Sequence, residues 1–258
     1  MGDKFQILCY GDSNTWGCIG NWRPSDLPTK RFDPETRWPD VLQQKLGEKA
    51  RVIAEGLGGR TTIYPVKGAP WKNGESYLLP CLRSHRPLDL VVIMLGTNDL
   101  QTKRDMTVQQ LGDGISRLID IIQNDPMCGR GFKPPAILII SPIEVKSAAP
   151  EGRVEVYDNF RREIGAELSR QFPEVYSRIA REKGCHFLNG AEYAKPCDAD
   201  GVHFDAESHV RLGNAVAEYI EKYIDFCWGL ACRIKDGEFV CDPIWEAIVN
   251  EQNEIGNI

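Results

Sequence analysis

The sequence predicts a three-layer α/β/α sandwich on a mainly parallel five-stranded sheet, of the flavodoxin-like kind. Three observations predict it. Short apolar runs alternate with segments of helical periodicity along most of the chain, the order that βαβ units produce. One run, LDLVVIML at 88–95, is apolar almost throughout, as a strand covered on both faces must be. Polar clusters follow four of the five runs, and open parallel sheets gather their ligands at those strand ends.

The first run, FQILCY at 5–10, reads as a buried strand stopped by Gly11-Asp12-Ser13-Asn14. A loop carrying Pro24, Pro28 and Pro34 follows, then a helix over 38–48 with apolar spacing Trp38, Val41, Leu42, Leu46. RVIA at 51–54 is a second short strand running into Gly56, Gly58 and Gly59. A helix is predicted over 74–84 despite Pro80, and the third strand, 88–95, ends at Gly96-Thr97-Asn98-Asp99. An amphipathic helix over 107–123 leads to the fourth strand, AILIIS at 136–141, stopped at Pro142. Helical spacing covers 156–183 with a break near Pro173, its charged residues forming a solvated face. CHFL at 185–188 is the fifth strand, followed by Asp200-Gly201-Val202-His203 and a last helix over 206–226. Residues 1–226 thus form one domain. Residues 227–258, with Trp228, Phe239 and Trp245, read as an extension packed on that domain or at an oligomer interface.

Composition narrows the function. A net charge of −6, with the basic residues scattered among acids, argues against nucleic acid, which attracts concentrated Lys and Arg. No stretch approaches the ~20 apolar residues of a membrane span. The N-terminal apolar run is too short for a signal-peptide core, so the expected compartment is the cytoplasm. Nine cysteines, an odd number without a framework, are expected to be mostly free and buried. Cys227, Cys232 and Cys241 lack the tight pairs of a structural zinc site, and no metal or organic cofactor is expected.

The polar clusters carry chemistry. A serine hydroxyl needs a base within hydrogen-bond reach to act as nucleophile. Of the four histidines, His203 follows Asp200 by three residues across Gly201, a spacing that lets a carboxylate orient the imidazole while its other nitrogen faces Ser13. An acyl-transfer site also needs donors for the developing oxyanion: the Ser13 N–H where a helix begins, the Gly59 N–H and the Asn98 amide. Asp12 reads as a scaffold behind Ser13. Taken singly, Ser13 would read as a helix cap, Gly59 as a turn glycine and Asn98 as an Asx-turn. Together they read as a site. His85 and His186 read as surface or strand-end residues, and His209, near the start of the last helix, as solvated.

Gly11-Asp12-Ser13, Gly59, Gly96-Thr97-Asn98-Asp99 and Asp200-Gly201-Val202-His203 resemble, in order and separation, the four blocks of the SGNH (GDSL) hydrolases. The resemblance implies Ser13, Asp200 and His203 as catalytic residues, with Ser13, Gly59 and Asn98 as the oxyanion hole. It is closer to the bacterial arylesterase and acyltransferase branch, which also catalyses perhydrolysis. Thr15-Trp16-Gly17, Glu55-Gly56-Leu57, Arg60-Thr61-Thr62 and the run Leu88 to Asp99 are similar to that branch, and the resemblance covers residues 5–226. It implies a serine esterase for short-chain acyl esters, with a small acyl ester as partner and self-association into a homo-oligomer. A carbohydrate O-acetylesterase of the same family is the alternative.

Asn14 stands where many relatives of that branch have leucine, so Asn14, Trp16 and Arg60 are candidate substrate-binding residues. Trp16 reads equally as packing, and Arg60 equally as a structural ion pair. The loop 142–156, with Pro142 and Pro150, is a candidate pocket wall. A rival of another class is a non-catalytic module using the same crevice for a small ligand. The Walker and dinucleotide glycine patterns that such a module would use are absent.

Overall fold

The computed structural model describes residues 4–20, 30–101, 106–147, 159–160, 162–229, 233–235 and 238–240, with side chains to residue 222. The chain divides into two compact units, Met1–Ala217 and Glu218–Ile258. In the first unit, the strands β1 (Phe5–Gly11), β2 (Ala50–Gly56), β3 (Leu90–Met94), β4 (Ala136–Ser141) and β5 (His186–Asn189) form one sheet. Their order is β2-β1-β3-β4-β5, and every pairing is parallel. This is the predicted sheet. β2 runs further at both ends than RVIA alone, because it pairs with the whole of β1.

Alternation along the strands sorts the core. Leu8, Tyr10, Val91, Ile93, Ile137 and Ile139 share one cluster with α3 (Gly74–His85), α4 (Val108–Gln123) and α6 (Phe172–Glu182). The intervening residues Ile7, Cys9, Leu90, Val92, Leu138 and Ile140 are equally buried and point to the other face, as the two-residue period of a strand requires. Outside that cluster, α2 (Trp38–Leu46) meets the start of α7 (Ala206–Gly229), with Gly213 lying against Val41 and Trp38.

Several helix ends follow from local chemistry. Thr107 and Gln110 form a capping box that starts α4, the T-x-x-Q pattern being visible in the sequence. The helical stretch predicted over 156–183 is split into α5 (Arg162–Arg170) and α6. Pro173 sits in the first turn of α6, where its missing N–H has no intrahelical partner to lose.

The register positions the site. Gly11, the last residue of β1, is level with Gly56 on one side and Met94 on the other. The segments leaving those three strands, at Asp12, Leu57 and Leu95, therefore emerge at one edge. In the second unit, β6 (Arg233–Lys235) and β7 (Glu238–Val240) pair antiparallel. The side chains of Trp228, Phe239 and Trp245, the thiols of Cys227, Cys232 and Cys241, and positions 148–158 of the loop after β4 lie outside the described residues. Among the described residues, no helix is long and apolar enough to cross a membrane.

Candidate active site

Ser13 opens α1 (Ser13–Trp16), a single turn between Asp12, whose carboxylate accepts from Asn14 N–H at 2.9 Å, and left-handed Gly17. One turn carries little dipole, so what it contributes is orientation of the Ser13 side chain and N–H. The hydroxyl Oγ lies 2.9 Å from Nε2 of His203, and Nδ1 of the same ring lies 2.7 Å from Asp200 Oδ2. With the Nδ1 proton donated to the carboxylate, Nε2 is left as acceptor for the serine hydroxyl. The other Asp200 oxygen accepts the backbone N–H groups of Val202 and His203 at 3.0 and 2.9 Å. A three-residue turn thus holds the Asp200 carboxylate on the His203 ring.

The electrostatics follow. Burial works against the Asp200 charge, but the bonds from His203 and the two backbone N–H groups outweigh it and hold the carboxyl below its usual value. Burial also works against a charged His203, and the bonds to Asp200 and Cys18 outweigh it, raising the imidazole well above its ordinary value. Behind Ser13, burial pushes Asp12 up to about 6 against the opposing Asn14 N–H bond.

The oxyanion candidates converge at the same edge. Leu57 N–H donates to Gly11 O at 3.1 Å, tying the β2 loop to the Ser13 turn. Gly59 adopts φ of +76°, a conformation that favours glycine, with the Lys72 side chain alongside it. The Asn98 amide nitrogen donates to Arg60 O at 3.1 Å and to Asp12 at 3.3 Å, which fixes it between those two loops.

The structure also places Arg60, Asn14, Trp16 and His209. Arg60 is buried, with its guanidinium 4.2 Å from the Tyr10 ring centre and 5.5 Å from that of Tyr77, and it donates to the carbonyls of Gly11 and Glu55. It braces the two loops from inside and offers no free face to a substrate anion. Asn14 is buried as well, its side chain bonded to backbone on either side of His203. Trp16 stays half-buried, its ring covered by Arg31 at 4.9 Å. His209 is buried rather than solvated, sandwiched edge-on by Phe32 and Phe204, and burial drives it down to about 3.

Sequence reasoning did not single out the residues behind the triad. Cys197 donates its thiol to Asp200 at 3.4 Å, in a Cys-x-x-Asp spacing that could have drawn notice. The six cysteines among the described residues are free. Gly20 packs on the same carboxylate, where a Cβ would stand 2.3 Å from Cys197 Sγ and 3.0 Å from Asp200 Oδ2. Gly20→Ala is expected to lower kcat by about tenfold or more through misplacement of Asp200, with KM little changed, in steady-state kinetics.

The sequence profile of the GDSL-like Lipase/Acylhydrolase family matches residues 9–211, from the Ser13 turn past His203. The chain belongs to that family. Its fold is similar to an aryl esterase from M. smegmatis, at 35% identity and a TM-score of 0.76, over 84% of this chain and 99% of that one. It is also similar to a carbohydrate acetylesterase from Sinorhizobium meliloti, at 32% identity and 0.78, over 85% of this chain and 100% of the other. A lipase/acylhydrolase from Enterococcus faecalis, at 18% identity and 0.59, over 85% of this chain and 96% of that one, shares the fold. No curated protein matches the chain. This GDSL protein is a serine ester hydrolase.

One further group of this hydrolase has metal-ligand chemistry. Glu55, Cys81 and His85 bring a carboxylate, a thiol and an imidazole within 4.8 Å of one another. His85 Nε2 is bonded to Glu55 at 2.8 Å, burial pushes the Cys81 thiol up to about 12, and Arg60 donates to the backbone carbonyl of Glu55. A protonated thiol beside a guanidinium fits a hydrogen-bonded knot joining α3 to β2 better than a cation site.

Proposed function

We propose that the protein hydrolyses short-chain acyl esters through an acyl-enzyme on Ser13. The observation that carries this reading is the unbroken hydrogen-bond chain from Asp200 through His203 to Ser13, 2.7 and 2.9 Å long. Neutral His203 takes the hydroxyl proton as Oγ attacks the ester carbonyl, and Asp200 stabilises the imidazolium that results. The tetrahedral oxyanion takes the N–H groups of Ser13 and Gly59, and the Asn98 amide joins them by exchanging its longer 3.3 Å bond to Asp12 for the oxyanion. His203 then protonates the departing alcohol, and water activated by the same ring releases the acid. An alcohol or a peroxide in place of that water would take the acyl group instead, which is the route to acyl transfer and perhydrolysis.

A fluorophosphonate probe tests the nucleophile. One adduct per chain is expected, located on Ser13 by peptide mapping and lost in Ser13→Ala; an adduct that survives the substitution sinks the reading. Asn98→Ala is expected to cut kcat for an aryl acetate by about 10²–10³-fold, the usual loss for one oxyanion donor. An effect confined to KM would remove Asn98 from that role.

The likeness to a carbohydrate acetylesterase supports a second substrate class, O-acetylated sugars. Turnover of phenyl acetate against an acetylated sugar at equal concentration separates the two. Asn14 gives neither an advantage, since its side chain is spent on the His203 segment.

A further inference from the structure

We propose that Asn14 is a positioning residue for the reaction, a two-point bridge that sets the distance between nucleophile and base. The inference rests on the assignment of Ser13 and His203 made above. Asn14 follows Ser13 directly in α1, and its side chain is buried. Its amide nitrogen donates to Val202 O at 3.3 Å, and its amide oxygen accepts the Phe204 N–H at 3.0 Å. Those two backbone groups flank His203 on either side. The amide therefore grips the segment that carries the base, with donor and acceptor used at once.

Among the described residues, the Asn14 amide adds two bonds between these segments to the Ser13 Oγ–His203 Nε2 bond. Asp200 holds His203 from within its own turn, through the Val202 and His203 N–H groups and the ring. The backbone of that turn is anchored away from Ser13, by Cys197 N–H to His203 O at 2.7 Å and Lys146 N–H to Gly201 O at 2.9 Å. Those bonds fix the shape of the turn. Asn14 adds the link to α1, reaching across 188 residues of chain to Val202 and 190 to Phe204. Donor and acceptor must both be present in one short planar group, and among uncharged side chains of this length only asparagine supplies both.

A hydrophobic side chain of similar size fills the space and keeps the fold, yet leaves the Phe204 N–H and the Val202 carbonyl buried without this partner. Leucine is that side chain. Because reacting groups must be held to within a fraction of an ångström, release of the His203 segment acts on turnover and spares binding.

The test compares wild type, Asn14→Leu, Asn14→Ala and Ser13→Ala. The readouts are steady-state kinetics on an aryl acetate, the second-order rate of fluorophosphonate labelling, and the melting temperature. Asn14→Leu is expected to lower kcat by about 10–100-fold with KM within about threefold, and to slow labelling in proportion. Asn14→Ala, which leaves room for water to satisfy both backbone groups, covers the case in which leucine fails to fold. It is expected to show the same split between kcat and KM. Either folded variant turning over at the wild-type rate, or losing only KM, overturns the bridge while the Ser13 assignment stands. Labelling that persists in Ser13→Ala overturns the assignment and the bridge with it.

Discussion

Ser13→Ala is expected to lower kcat for aryl acetate hydrolysis by roughly 10⁴–10⁶-fold, with KM close to wild type. The magnitude follows from what the hydroxyl does and what is left without it. Oγ is the atom at the end of the chain that begins at Asp200, and the His203 imidazole has its free nitrogen turned toward it. Remove the oxygen and the base has nothing to activate except a water held less well. The oxyanion donors survive the substitution, so some catalysis over bulk water persists, and for that reason the loss is finite. The fold is expected to survive too: Ser13 is only partly buried, and the cap of its helix turn comes from Asp12. The measurement is single-turnover and steady-state kinetics on protein purified free of other esterases, beside the melting temperature. A loss of less than about a hundredfold in a protein of normal stability would place the nucleophile elsewhere.

Why so much of this site was legible in the sequence, and where legibility stopped, has a physical basis. The sheet showed because its three inner strands, β1, β3 and β4, are buried on both faces for most of their length. Leu90 to Met94 is buried at every position. The parallel register then forces the segments after β1, β2 and β3 to one edge, so three of the four sequence clusters come together without any knowledge of distances. Asp200 and His203 were legible because their partnership is local, three residues apart.

The residues that were misread have their roles set at long range. Arg60 looks like a surface cation or an ion-pair partner in sequence. Its neighbours are in fact a carbonyl 49 residues away and two tyrosine rings, none of which charge patterning can anticipate. His209 sits in the first turn of a helix, where polar residues are usually wet, yet Phe32 and Phe204 close over it. Asn14 was read as polarity offered to a substrate. A buried amide looks the same in sequence as an exposed one, and only the backbone groups of Val202 and Phe204 show which it is.

Asp200→Asn is expected to lower kcat by about 10³–10⁴-fold and to move the acid limb of the pH profile to lower pH. Both effects come from the same two bonds. In the wild type the carboxylate accepts the Nδ1 proton, leaving Nε2 as the acceptor that the Ser13 hydroxyl requires. Asparagine can still accept the Val202 and His203 N–H groups with its carbonyl oxygen, so the turn is kept. Its NH₂, however, then faces Nδ1 and favours the tautomer with the proton on Nε2, which cannot serve as base.

The sign of the pH effect is fixed by the form that reacts. Neutral His203 is the base, so activity appears as pH rises through its pKa, which the wild type holds well above the ordinary value despite burial. Without the Asp200 charge, burial is opposed by less, the pKa falls, and the limb moves to lower pH. The other groups facing the ring do not produce such a shift. His209 stays neutral with its pKa near 3, and Asp12, which titrates near 6, is present in both proteins. The difference between the two kcat/KM profiles therefore reports His203 and the Asp12 carboxyl coupled to it. An unmoved limb, or a loss below tenfold, would mean that Asp200 holds the turn but does not set the state of the base.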